Sequence, residues 1–145
     1  MTCVQSILGR KGREVFTIGS ADTALAAAER MNQRAVGGLV VVEEGRVAGI
    51  VTERDILRRV VAAQRDPQRT AVRDILTSPV ATCRPDTTLG ECRAFMTEKR
   101  IRHLPVVDEH GLCGMITIGD LLAHEVGEHE ATIEYLSAYI HGPRG

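Results

Sequence analysis

Hydrophobic residues fall into two alternating rhythms along this chain, a short apolar run that suits a strand and a three-to-four spacing that suits a helix. Val15 to Ile18 reads as a short strand. Behind it, Ala21-Asp22-Thr23 offers capping chemistry to a helix that carries Leu25, Ala28 and Met31 on one stripe and should end near Arg34. Leu39 to Val42 is a continuous apolar run, as expected of a strand covered on both faces. Glu44-Gly45 then turns the chain and Val47 to Val51 supplies a second strand. From Thr52 the helical spacing returns: Ile56, Leu57, Val60 and Val61 take one side, and Arg54, Arg58, Arg59 and Arg65 the other.

The same order then comes back. A strand is expected from Val80 to Cys83, a helix from about Thr88 to Lys99, a strand pair over His103 to Val107 and Leu112 to Thr117, and a last helix from near Ile118. The stretch Gly49-Ile50-Val51-Thr52-Glu53-Arg54-Asp55 recurs as Gly114-Met115-Ile116-Thr117-Ile118-Gly119-Asp120, an offset of 65 residues (114 − 49). At that offset, without a gap, Val15 meets Val80, Thr17 meets Thr82, Thr23 meets Thr88, Met31 meets Met96, Leu39 meets Leu104 and Leu57 meets Leu122. One register held that long makes the chain two copies of a single β-α-β-β-α unit. Each copy has an apolar lead-in, Val4 to Leu8 and Val72 to Leu76, and Asp66 to Thr70 is the polar link between them. The expected division is residues 1–65 for the first unit with its leader, 66–127 for the second, and 128–145 for a C-terminal helix and tail. In that tail Ile133, Leu136, Ser137 and Ile140 fall at i, i+3, i+4 and i+7, which gives it one apolar face in need of a dock.

Composition narrows the class. With 43% hydrophobic residues, 26% charged and a net charge of −1, the 145-residue chain is not of the disordered, membrane-spanning or broadly nucleic-acid-binding kind. It has no Trp and few aromatics, which also weighs against stacking on single-stranded nucleic acid. Met1 to Ser6 has no charged head followed by an apolar run, and no stretch of about 18 apolar residues occurs, so the expected location is the cytoplasm. The cysteines, Cys3, Cys83, Cys92 and Cys113, form no Cys-x-x-Cys pair and are expected to be reduced, partly buried thiols. Catalytic signatures are missing: no Gly-x-Ser-x-Gly, no Walker-type loop and no Gly-x-Gly-x-x-Gly, so no enzyme activity is expected. His124 and His129 are five residues apart (129 − 124), about 140° off the shared face that a zinc helix needs, with Glu128 between them. A solvated helix face is the expected reading there, and no metal site.

The doubled G-h-h-T-x-x-D element, together with Arg100-Ile101-Arg102-His103-Leu104-Pro105-Val106-Val107-Asp108, resembles the cystathionine-beta-synthase (CBS) domain pair, or Bateman module. The resemblance covers nearly the whole chain, and Thr132 to Gly142 is similar to the end of stand-alone proteins of that family. It implies an α+β fold, a tandem CBS domain pair of two β-α-β-β-α repeats related by pseudo-two-fold symmetry. It further implies that adenosine-containing nucleotides bind in the clefts between lobes and that two chains form a disc-like homodimer.

The residues have a physical reading of their own. A threonine that ends a strand, with an aspartate three residues on, sets a hydroxyl and a carboxylate at a helix N-terminus; Thr52 with Asp55 and Thr117 with Asp120 fit this. A carboxylate can accept both ribose hydroxyls, while a threonine hydroxyl and backbone N–H groups can hold phosphate. The same arrangement also merely caps helices, and the four residues do not decide between the two. The second copy adds Arg100, Arg102 and His103 where the first has Ala35, Gly37 and Gly38, so the two clefts should differ: cations suit phosphate, and glycines allow close approach of a base or pyrophosphate. Arg54 supplies the first copy's charge, opposite Gly119. Ile18 and Cys83, just after Thr17 and Thr82, are placed as aliphatic walls for adenine, and Pro105 follows the basic cluster. Asp120 is expected in the site that carries Arg102 and His103. The expected function is thus a homodimeric regulatory sensor of AMP, another adenine nucleotide such as ATP, or NAD(H), acting on an unidentified regulated protein. The alternative is a structural or partner-docking module that binds no nucleotide. Which nucleotide it binds, and whether one or both clefts fill, stay open.

Overall fold

The computed structural model describes residues 2–127. Threonines set where its helices begin. The Thr23 side chain accepts from Ala26 N–H at 3.1 Å and starts α2 (Ala24–Arg34). Thr88 accepts from Glu91 N–H at 3.1 Å while Glu91 accepts from Thr88 N–H at 3.2 Å, a capping box that starts α4 (Leu89–Lys99). Both helices stop alike, on Ala35 and Arg100 in the left-handed region with φ of 55°. Strand β1 (Thr17–Gly19) runs parallel to β2 (Gly38–Glu43), which pairs antiparallel with β3 (Arg46–Thr52). In the second copy β4 (His103–Asp108) pairs antiparallel with β5 (Gly111–Thr117). Even the irregularities repeat: the register slips between Val41 and Val42 and again between Val106 and Val107. Helices α3 (Glu53–Ile56) and α5 (Ile118–Gly127) follow the third and fifth strands.

Two expected elements come out differently. Val80 to Cys83 forms no strand; only Cys83 bridges to Val106. Proline supplies the reason. In the first copy Val40 N–H donates to the Phe16 carbonyl at 3.1 Å, but the counterpart of Val40 is Pro105, which has no N–H to give to Ala81. What survives is Cys83 N–H to the Pro105 carbonyl at 2.9 Å and Val107 N–H to the Cys83 carbonyl at 2.8 Å. The helix from Thr52 is α-helical only to Ile56 and then widens into a π-helical turn over Leu57–Val61. Its expected apolar stripe splits as a result: Val60 is buried, Ile56 is half-buried, and Leu57 and Val61 are 61% and 62% exposed. The tail residues Ile133, Leu136, Ser137 and Ile140 lie outside the described residues.

Each lobe buries its own core. Leu39, Val41 and Val51 face Ala24, Ala27 and Met31 in the first; Leu104, Val106 and Ile116 face Leu89, Cys92 and Met96 in the second. The opposite faces of the strands pack lobe on lobe, with Val40 and Ile50 against Met115 and with Val15, Val42, Val80 and Leu112 around them. The Leu39–Val42 run is therefore covered on both faces, as its unbroken hydrophobicity requires.

The lead-ins are exchanged between the lobes. Helix α1 (Val4–Lys11) sends Val4, Ile7 and Leu8 into the core of the second lobe, whereas Val72 and Ile75, on and after a 3-10 turn (Val72–Asp74), complete the core of the first. Each fully buried aliphatic of this kind is worth about 1.5–3 kcal/mol. The exchange explains the glycine of the repeated motif. A Cβ on Gly49 would meet the Thr77 carbonyl oxygen at 2.5 Å, and one on Gly114 would meet the Leu8 side chain at 2.7 Å. Both glycines let the crossing segment lie against the strand, so their place three residues before the threonine belongs to packing.

Candidate functional site

The repeated threonine and aspartate close capping boxes in both copies. Asp55 Oδ2 accepts from Thr52 N–H at 2.9 Å and from the Thr52 hydroxyl at 3.2 Å, and Thr52 Oγ1 accepts from Asp55 N–H at 3.3 Å. The remaining oxygen, Oδ1, accepts from the Thr77 hydroxyl at 3.0 Å and lies 4.0 Å from Arg59 Nε. Asp55 is 6% exposed. In this geometry Asp55 serves as a cap and a tether, and the expected grip on ribose hydroxyls would have to share oxygens that already have donors. Two backbone donors of the first turn are engaged as well: Glu53 N–H donates to the Gly37 carbonyl at 3.0 Å, and Asp55 N–H to Thr52 Oγ1 as above.

The second copy repeats the backbone part of this arrangement. Asp120 Oδ2 accepts from Thr117 N–H at 2.8 Å, Thr117 Oγ1 accepts from Asp120 N–H at 3.1 Å, and Ile118 N–H donates to the Arg102 carbonyl at 3.0 Å. One partner is new. The Lys11 ammonium, brought across by α1, donates to Asp120 Oδ2 at 2.7 Å and to the Met115 carbonyl at 3.0 Å. A lysine of the chain itself thus occupies the position beside the second carboxylate.

Beside Asp55 the groove is open. A cavity of about 670 Å³ runs between the lobes, lined by Thr52, Glu53, Arg54, Asp55, Arg58 and Arg59 from the first and by Phe95, Lys99, Arg100, Ile101, Arg102 and His103 from the second. Ile50, Thr77, Pro79, Val80 and Ala81 add its remaining wall. The result is an apolar floor under a cationic rim. Arg100 reaches the rim because it is the left-handed residue that ends α4; its N–H donates to the Met96 carbonyl. His103, which opens β4, lies across Gly37 and Gly38: a Cβ on Gly38 would be 3.2 Å from the imidazole, and one on Gly37 would meet the Glu53 carboxylate. These glycines make room for the chain's own histidine and glutamate, where the sequence suggested room for a base or pyrophosphate. Burial holds the His103 imidazole below the ordinary histidine range; Arg102 and Lys11 add to that, and Glu53 and Asp120 oppose it.

Of the expected site residues, the cavity collects Gly37, Thr52, Arg54, Asp55, Arg100, Arg102 and His103. Arg102 and His103 line it together with Asp55; Asp120 does not line it, although β4 sets His103 opposite Thr117 and the Asp120 charge acts on the His103 imidazole. Ile18 and Cys83, the expected walls for a base, lie instead in the lobe cores at 2% and 7% exposure. The free thiols of Cys83 and Cys92 share a hydrogen bond, and this contact together with burial holds the Cys83 thiol well above its ordinary range. Thr17, on β1, carries its carbonyl to Arg30, Pro105 is buried in β4, and Thr82 is exposed; none of the three lines the cavity. Sequence reasoning missed Arg58, Arg59 and Lys99 as site residues and missed Phe95 and Ile101 as floor. The arginine side of the Thr52 helix was legible, but only the inter-lobe contact turns it inward. His124, at 9% exposure, has its Nδ1 2.5 Å from the Arg10 guanidinium, and Glu128 and His129 lie outside the described residues. Among the described residues no group of three or more His, Cys, Asp or Glu is set to hold a metal ion, and no helix is long and apolar enough to cross a membrane.

Comparison with known proteins bears on the same repeat. The CBS domain family profile matches residues 10–62 and again 72–127. The CBS domain-containing protein CBSX3, mitochondrial, of Arabidopsis thaliana is 37% identical over 150 aligned positions, covering 97% of this chain and 73% of that protein. The CBS domain-containing protein YhcV of Bacillus subtilis is 34% identical over 118 positions, 81% of this chain and 84% of its own. Among solved structures, a CBS-domain protein of Burkholderia ambifaria MC40-6, described as a candidate in signal transduction, superposes with a TM-score of 0.86 at 40% identity, over 88% of this chain and 96% of that one.

Proposed function

This chain belongs to the CBS-domain family, and from that premise we propose that it is a regulatory module that binds an adenine nucleotide in the cleft between its two lobes. CBS pair proteins are commonly regulatory nucleotide-binding modules, and stand-alone ones are generally regulatory and not catalytic. The observation that carries the reading is the inter-lobe cavity, whose apolar floor of Ile50, Val80, Ala81, Phe95 and Ile101 meets a rim of Arg54, Arg58, Arg100 and Arg102. A purine needs a flat apolar slot, and its phosphate needs cations capable of paired hydrogen bonds. Because the rim draws on both lobes, a ligand held there favours one lobe spacing over others, and that differential affinity is what a signal requires. We place the homodimer and the unidentified regulated partner in the same proposal.

The docking alternative keeps one specific support: both Thr-x-x-Asp elements serve as capping boxes. A simple measurement separates the two. With no Trp, 2 Tyr and 2 Phe, the protein absorbs weakly, so bound adenine would raise absorbance at about 260 nm, and the released ligand can be identified by mass spectrometry. Calorimetry with AMP, ATP and NAD should give saturable heats that Arg102→Ala weakens. Flat titrations with all three would hand the case to docking.

A further inference from the structure

Resting on the nucleotide reading, we infer that the cleft selects for a phosphate chain and binds nucleoside di- and triphosphates in preference to monophosphates. The charges facing the cavity decide this. Its lining carries six permanent cations, Arg54, Arg58, Arg59, Lys99, Arg100 and Arg102, against two carboxylates, Glu53 and Asp55. Arg59 and Asp55 offset one another: Arg59 Nε lies 4.0 Å from Asp55 and its guanidinium donates to the Ile75 and Leu76 carbonyls at 3.0 and 2.8 Å. That leaves five cations facing a single carboxylate. None of those five has a carboxylate within ion-pair distance among the described residues, whereas Glu53 is drawn toward Gly37 and His103.

The other ways of recognising a nucleotide are already taken up by the fold. The Asp55 oxygens accept from Thr52 and Thr77, and the Glu53 and Asp55 N–H groups of α3 donate to Gly37 and to Thr52 Oγ1. Ribose and backbone therefore offer little discrimination, and guanidinium and ammonium groups on phosphate supply most of it. A phosphate monoester carries about −1.5 to −2 at neutral pH and leaves two or more of these cations unmatched. Each further phosphate answers another cation and relieves the repulsion among them.

The test is titration calorimetry of the full chain with AMP, ADP, ATP and inorganic tripolyphosphate, in chelator without divalent metal, at about 50 and 300 mM salt. ATP should bind at least tenfold tighter than AMP at the lower salt, with ADP between, and the ratio should shrink at the higher. Arg58→Gln and Lys99→Gln should each weaken ATP more than AMP and so narrow the ATP-to-AMP ratio. AMP binding as tightly as ATP would overturn the phosphate-chain inference and leave the nucleotide reading standing. Tripolyphosphate binding while no adenine nucleotide competes would overturn that reading, and with it the preference among nucleotides. Silence from all four ligands would overturn both.

Discussion

Replacing Asp55 by alanine asks what this carboxylate is for. In the structure it is a capping and tethering group: Oδ2 holds Thr52 N–H and hydroxyl, and Oδ1 holds the Thr77 hydroxyl, which ties α3 to the segment leaving the first lobe's core. Losing a cap of this type costs about 1 kcal/mol, and losing the Thr77 bond about 1 more. The side chain is buried at 6% exposure, so solvent replaces these bonds poorly, and the total is about 2–3 kcal/mol, or about 6–10 °C in melting temperature for a chain of this size. Asp120→Ala is the internal control. It loses the equivalent cap, but its second contact is an ion pair with Lys11 whose partners are 33% and 21% exposed, and such pairs are worth about 0.2–1 kcal/mol. The expected loss is about 1.2–2 kcal/mol. Urea melts of both variants and of Asp55→Asn, which keeps an acceptor for Thr52 N–H, measure the difference. Asp55→Ala costing no more than Asp120→Ala would refute this account of the tether. Asp55→Asn as damaging as the alanine would count against the cap.

Further expectations follow from the same structure. Gly49→Ala should cost more than Gly114→Ala, because the first meets a backbone carbonyl and the second the end of a leucine side chain; chemical denaturation would order them. Gly9→Ala, in the exposed middle of α1 with nothing within 4 Å, should instead add about 0.5–1 kcal/mol. Leu8→Ala should cost about 2–5 kcal/mol, and hydrogen exchange should show the loss in α4, β4 and β5, the elements whose core Leu8 enters, ahead of α2. His103 is held below its unfolded value by burial, so the unfolded chain binds the extra proton more readily. Stability is full above about pH 6.5 and falls as pH drops through the folded value, and His103→Asn should flatten that part of the pH profile.

Much of this architecture is legible in the linear order of residues, because the signals are local. Thr23, Thr88 and the alternation of apolar runs mark the helices and strands, and the 65-residue offset marks the repeat down to shared hydrogen bonds such as Glu53 to Gly37 and Ile118 to Arg102. What the sequence hides is non-local. Nothing near Pro105 announces that the strand at Val80 to Cys83 will lose a donor, since the missing bond spans 24 residues (105 − 81). Nothing near Asp55 announces Thr77, and nothing near Asp120 announces Lys11. The cation count was partly visible, but that Arg102 and Asp55 line one cavity depends on how two lobes face one another, a relation that register along the chain does not encode.

The crossed lead-ins have a consequence for how this chain can be divided. A scissile nick in the polar link would sever the peptide but not the molecule, for each fragment would still be plugged with a piece of the other: α1 in the distal half, Val72 and Ile75 in the proximal one. Conversely, either repeat synthesised by itself would be born with a hole in its interior shaped like its sibling's leader. The heritable unit is the single repeat, and the foldable unit is the couple.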